Sequence, residues 1–191
     1  MHTIEQYLTY PVNAKVQDRF AEGLLLTLIE EGPKAIQEPE NYEVRANIMW
    51  AATMALNGLI GAGVPNDWAT HMLGHELTAL HNLDHAQTLA IILPAMMQVR
   101  REEKREKLIQ YADRVWDLRE GNAEDRIDEA ISKTRKFFES LKVPTRLSDY
   151  GIGTDAIPAL VAQLQRHGMV ALGERRNFDI AHSQRVYELA I

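Results

Sequence analysis

The sequence predicts an all-α fold, an irregular multi-helix bundle. Three observations carry this: apolar residues recur at three-to-four-residue spacing along most of the chain, no internal stretch alternates convincingly, and glycine, proline and asparagine fall between the periodic segments. No internal repeat and no low-complexity tract is present.

From the amino terminus, only the first ten residues have a pattern open to extended structure. Positions 13–31 carry Val16, Phe20, Leu24 and Leu28 at helical spacing, and Gly32-Pro33 is expected to end that helix. A second helix is expected over 41–59, with Val44, Ile48, Ala51, Ala52 and Leu56 on one side. Pro65-Asn66-Asp67 reads as a turn and cap opening a third helix, which holds His71 and His75.

The apolar stretch 86–97 is expected to pass into the charged run 100–107 and on as helix to Trp116, with Pro94 marking a kink or a seam. The alternating charges of that run read as a solvated helix face. Further helices are expected over 123–141, 154–165 and 182–190. The tryptophans Trp50, Trp68 and Trp116 and the methionines Met49, Met54, Met72, Met96 and Met97 read as core or interface, with Trp68 and Met72 nearest in sequence to the histidines discussed below.

Composition narrows the function. With 21 Lys+Arg against 27 Asp+Glu the formal net charge is −6, which argues against nucleic acid as a partner. Cysteine is absent, so a metal would need histidine or carboxylate ligands. No segment approaches the ~20 apolar residues of a membrane span and no signal peptide is recognisable, so a cytoplasmic protein without a membrane partner is expected. The chain is expected to form one domain, 1–191. The glycines of "NGLIGAG" have the wrong spacing and context for a dinucleotide fingerprint, and no Walker-type loop occurs.

Four of the seven histidines, His71, His75, His81 and His85, fall in "THMLGHELTALHNLDHAQ". The i,i+4 pair His71 and His75 shares a helix face, a spacing that suits one metal ion and equally suits solvated or hydrogen-bonded histidines. The HExxH zincin pattern fails, because position 79 is Ala79. Along a continuous helix His71 and His85 would stand roughly 21 Å apart. To share an ion they need a break, and Asn82-Leu83-Asp84 supplies turn-forming residues. Asp84 also reads as a simple N-cap, with His85 an exposed first-turn residue.

The run "HMLGHELTALHNLDHAQTLAIILP", together with "YADRVW" and "VPTRLSDYGI", resembles the iron-containing (group III) alcohol dehydrogenases, in the branch of NADPH-dependent aldehyde reductases and butanol dehydrogenases. The resemblance covers essentially the whole chain. It implies the carboxy-terminal helical half of a dehydroquinate-synthase-like fold, with a dinucleotide-binding domain expected on an amino-terminal half that this sequence lacks. Metal ligation by His71 and His85 is implied, with Fe²⁺ or Zn²⁺ as the ion and His75 as an active-site histidine beside the substrate. "MHTIEQYLT" matches the start of the family's Asp-x3-His motif, which puts His2 among the ligands, although the aspartate would precede Met1.

Hydride transfer between NADP(H) and a small aldehyde or alcohol is the activity so implied for the parent enzyme, the isolated chain being expected to lack it. A homo-oligomer, or association through exposed apolar surface, is expected as well. The alternative of another class is a non-catalytic helical metal-binding or interaction module. His81 reads as a surface histidine.

Overall fold

The computed structural model describes residues 1–191. Nine α-helices and two short 3₁₀ turns make up its regular structure, and the only β pairing is an isolated antiparallel bridge between Leu172 and Phe178. The all-α expectation holds. No helix is long and apolar enough to cross a membrane. Two compact units are found, residues 1–66 with 104–133, and residues 67–103 with 134–191.

In the first unit, α1 (His2–Tyr7) occupies the segment whose pattern is open to extended structure. Six residues are too few to display a helical period, but Gln6 anchors the turn by donating to the His2 and Ala55 carbonyls, both at 2.8 Å. Helix α2 (Lys15–Gln37) runs through Gly32-Pro33 instead of stopping there. Part of the cost of an interior proline is its clash with the Cβ of the residue before it, and Gly32 removes that part. Helix α3 (Tyr42–Leu56) starts at Asn41, whose side chain accepts from the Glu43 and Val44 N–H groups.

Helix α6 (Arg105–Arg114) belongs to the same unit. Glu22 of α2 accepts hydrogen bonds from Tyr7 (3.0 Å), Gln110 (2.8 Å) and Arg114 (3.0 Å), and Lys107 pairs with Asp18 at 2.7 Å while sitting 4.2 Å from the Tyr7 ring centroid. Burial lowers the Lys107 pKa despite that partner. Helix α7 (Ala123–Ser140) starts in the first unit and belongs to the second from Thr134 on.

The second unit is built on α4 (Ala69–His81), α5 (His85–Val99), α8 (Ile157–Arg166) and α9 (Ile180–Leu189). Its core includes Leu73, Leu77, Ile91, Ile92, Leu160, Leu164, Val186 and Tyr187, all fully buried, and the Tyr187 hydroxyl donates to the Leu73 carbonyl at 3.0 Å. Pro94 does not divide α5, which is continuous across it. An interior proline costs about 3 kcal/mol, and the buried run from Leu89 to Met97 offsets that by packing.

The charged run departs from expectation twice. Residues 100–104 form turns that separate α5 from α6, so no single helix spans 86–116. Arg100, Lys104 and Lys107 are buried within it, whereas Glu102, Glu103, Arg105 and Glu106 keep the expected exposure. Among the residues assigned to core or interface, Met96 and Met97 are buried, but Met49 and Trp50 are 71% and 67% exposed.

Candidate metal centre

The histidine-rich stretch folds as two helices and a three-residue turn. Helix α4 ends because Asn82 adopts the left-handed conformation (φ 54°, ψ 33°), one of the few side chains that does so at small cost, and its N–H returns to the Thr78 carbonyl at 2.9 Å. Thr78 also donates its hydroxyl to the Leu83 carbonyl at 3.0 Å. Asp84 is extended and forms a capping box with Gln87, whose Oε1 accepts the Asp84 N–H at 2.9 Å. The chain thereby reverses, and His85 becomes the first residue of α5.

The two helices approach closely at Gly74. A Cβ there would stand 2.9 Å from Thr88 Oγ1 and 3.3 Å from Thr88 Cβ, so only glycine lets α5 lie this near. Three imidazoles gather as a result. The His71 ring centroid is 5.1 Å from that of His85 and 6.1 Å from that of His75, and His75 and His85 stack at 5.8 Å. The Trp68 indole meets the His71 ring edge-on at 5.4 Å. His71 is buried, while His75 and His85 are exposed.

The ring nitrogens of His71 and His85 that would ligate come within 4.8 Å of one another. Two imidazoles on one ion, with bonds of about 2.0–2.1 Å, hold their nitrogens between about 3 and 4 Å apart. The 4.8 Å bound brings the pair close to that spacing, within a small side-chain adjustment of a shared divalent ion. The break that helix geometry demanded between them is present, and the capping role of Asp84 and the exposed first-turn position of His85 occur together with it. His2 opens α1 of the first unit and is half-buried. His81 is half-buried at the end of α4, with its Nε2 inaccessible, in place of the surface position expected.

The model of the Fe-containing alcohol dehydrogenase family, C-terminal, matches residues 1–190. The chain belongs to this family. It is similar to the NADPH-dependent aldehyde reductase YqhD of Escherichia coli (strain K12), 66% identical over 190 residues, which is 100% of this chain and 49% of that protein. It is also similar to the NADH-dependent butanol dehydrogenase A of Clostridium acetobutylicum, 36% identical over 92% of this chain and 46% of the relative.

Solved structures of the iron-type dehydrogenases agree. The substrate- and cofactor-free form of E. coli YqhD superposes with a TM-score of 0.98 at 66% identity, over 100% of this chain and 50% of that one. The NADH-dependent butanol dehydrogenase A of Thermotoga maritima gives 0.91 at 27% identity, over 99% and 49%. The chain spans about half the length of the curated relatives it matches.

Sequence reasoning missed two polar groupings around these helices. Glu76, buried on α4, accepts from or donates to His167 Nδ1 at 2.7 Å according to their protonation. Arg100, just past α5, bonds Asp67 just before α4, along with Glu103 and Glu174. Apart from the i,i+3 contact of Arg100 with Glu103, no local pattern signals either, since the other partners lie 91, 33 and 74 residues apart.

Proposed function

We propose that this chain is the metal-holding helical half of an NAD(P)H-dependent alcohol dehydrogenase or aldehyde reductase that interconverts small aldehydes and alcohols. The observation that carries the proposal is the approach of His71 and His85, on two different helices, to within sharing distance of one ion. The family to which the chain belongs and the names of its relatives support the reaction class.

His71 and His85 would hold the ion, with His2 a further ligand on the strength of the sequence resemblance. Imidazole donors suit Fe²⁺ and Zn²⁺ alike. When bound, a divalent ion supplies Lewis acidity that polarises the substrate carbonyl and stabilises negative charge developing on its oxygen. His71 is the rigid partner, since it is buried on α4 and flanked by Trp68; His85 completes the pair from the start of α5.

His75 has a different part in the proposal. It is exposed and one turn from His71, placed to exchange a proton with solvent and to pass it to the substrate oxygen as alcohol forms. The hydride would come from a nicotinamide, for which no phosphate-binding loop is recognisable in these residues, so the chain alone is proposed to be inactive. Association between copies through exposed apolar residues of α2 and α3 is part of the same proposal.

The test is complementation. The Zn²⁺-loaded chain, co-expressed with the amino-terminal half of E. coli YqhD, is expected to oxidise NADPH when an aldehyde is added, and His75→Ala to lose most of that rate while retaining metal. A reconstituted, metal-loaded complex with no aldehyde-dependent oxidation would refute the catalytic reading.

A further inference from the structure

Asp67 and Arg100 sit at the far ends of the helix pair that carries the histidines. Asp67 Oδ1 accepts the Ala69 N–H at 2.9 Å, fixing the first turn of α4, in which His71 is the third residue. Its other oxygen, Oδ2, is bonded to Arg100 Nη1. Arg100 is the C-cap of α5, whose first residue is His85. One ion pair thus joins the entry of one ligand helix to the exit of the other.

The pair is built into the interior. The Arg100 side chain is 2% exposed and that of Asp67 6%. Nε and Nη2 of the guanidinium bond Glu103 and Glu174, both at 2.9 Å, and its Cζ lies 5.5 Å from the Phe178 ring centroid. A Cβ at Gly173 would come within 2.8 Å of Nη1, so the backbone there rests against the guanidinium. Burial opposes the Arg100 charge, but the Glu103 hydrogen bond and the charges of Asp67 and Glu174 outweigh it and raise the pKa. The arginine is held on every polar edge.

We infer that Asp67 and Arg100 are positioning residues for the two-histidine centre, a strut that fixes the angle between α4 and α5. The inference rests on the metal-site reading proposed above. The mechanics follow from where the helices touch. Contact at Gly74 and Thr88 makes that point a pivot. His85 lies three residues before the pivot on α5, a lever arm of about 4.5 Å, and Arg100 twelve residues after it, about 18 Å. Anchoring the long arm suppresses motion of the short one. A displacement of 1 Å permitted at Arg100 becomes only about 0.25 Å at His85, whereas cutting the strut leaves core packing as the remaining restraint on that rotation.

The test compares Zn²⁺ affinity of the full chain with that of two variants that damage the same network differently. Asp67→Asn keeps an acceptor for the Ala69 N–H and removes the charge that holds Arg100; it is expected to weaken Zn²⁺ binding about tenfold, in the range found for outer partners of metal ligands. Glu174→Gln releases the 173–178 segment from Arg100 and leaves the strut intact; its Zn²⁺ affinity is expected to stay within twofold of wild type even where thermal stability falls. If Asp67→Asn does not fold, Arg100→Lys, which keeps the charge and loses the fork, takes its place with the same expectation.

Wild-type affinity in Asp67→Asn, or equal weakening in Glu174→Gln, would overturn the strut. Failure of the wild-type chain to bind Zn²⁺ would instead overturn the metal-site reading, and the strut with it.

Discussion

Gly74 faces Thr88 so closely that a methyl group on Gly74 would stand 2.9 Å from the Thr88 hydroxyl. This contact brings the first turns of α4 and α5 together, and with them His71 and His85. Gly74→Ala gains about 1 kcal/mol of helix propensity but must part the helices, at about 1–3 kcal/mol for overpacking. A net loss of stability with weaker Zn²⁺ binding is expected. Gly23→Ala, in α2 with nothing within 4 Å of the added carbon, is the contrast, and should stabilise by about 0.5–1 kcal/mol. Denaturant melts of both variants check this.

Asn82 makes the reversal between the ligand helices by adopting φ 54°. Asn82→Gly should be neutral to within a few tenths of a kcal/mol. Asn82→Val should cost about 1–2 kcal/mol, since a β-branched side chain is strained in that conformation, and should loosen His85. Urea titrations and the Zn²⁺ affinity of each variant report the two effects.

Tyr7 and Tyr187 give the chain an alkaline limit. Burial raises both phenol pKa values well above the usual value of 10, with Glu22 adding to the effect at Tyr7 and Glu76 at Tyr187. A group whose folded pKa is raised contributes stability that is complete below its unfolded pKa and is lost as pH climbs toward the folded one. Stability should therefore hold up to about pH 10 and fall above it, and Tyr7→Phe should flatten the fall while costing about 1 kcal/mol at neutral pH for the lost bond to Glu22. Unfolding free energies measured between pH 8 and 12 test the sign.

Val16, Phe20, Tyr42, Met49, Trp50 and Leu56 are exposed apolar residues of α2 and α3. Exposed apolar surface favours association, so the sedimentation coefficient should rise with concentration, and the double variant Met49→Gln, Trp50→Ser should reduce that rise without lowering the melting temperature. A chain that sediments as a monomer at high concentration would count against it.

The parts of this fold legible in the sequence are those governed by local rules. The break after His81 was demanded by the rise of a helix, and Asn82 and Asp84 name its chemistry. The pairing of Arg100 with Asp67 and Glu174 is not legible, because alternating charges look the same whether they meet water or buried partners from distant segments. Helix α1 is too short to show a period, and the passage of α2 and α5 through Pro33 and Pro94 depends on a preceding glycine in one case and on core packing in the other. For the centre itself, His71 and His85 were readable as a pair, while the Gly74 contact that sets their distance is a tertiary fact.

The most direct test is a calorimetric titration of the metal-stripped chain with Zn²⁺, run beside His71→Ala and His85→Ala. Micromolar or tighter binding that each substitution abolishes is the result expected of a two-helix metal centre. No binding, or binding indifferent to both histidines, would contradict it.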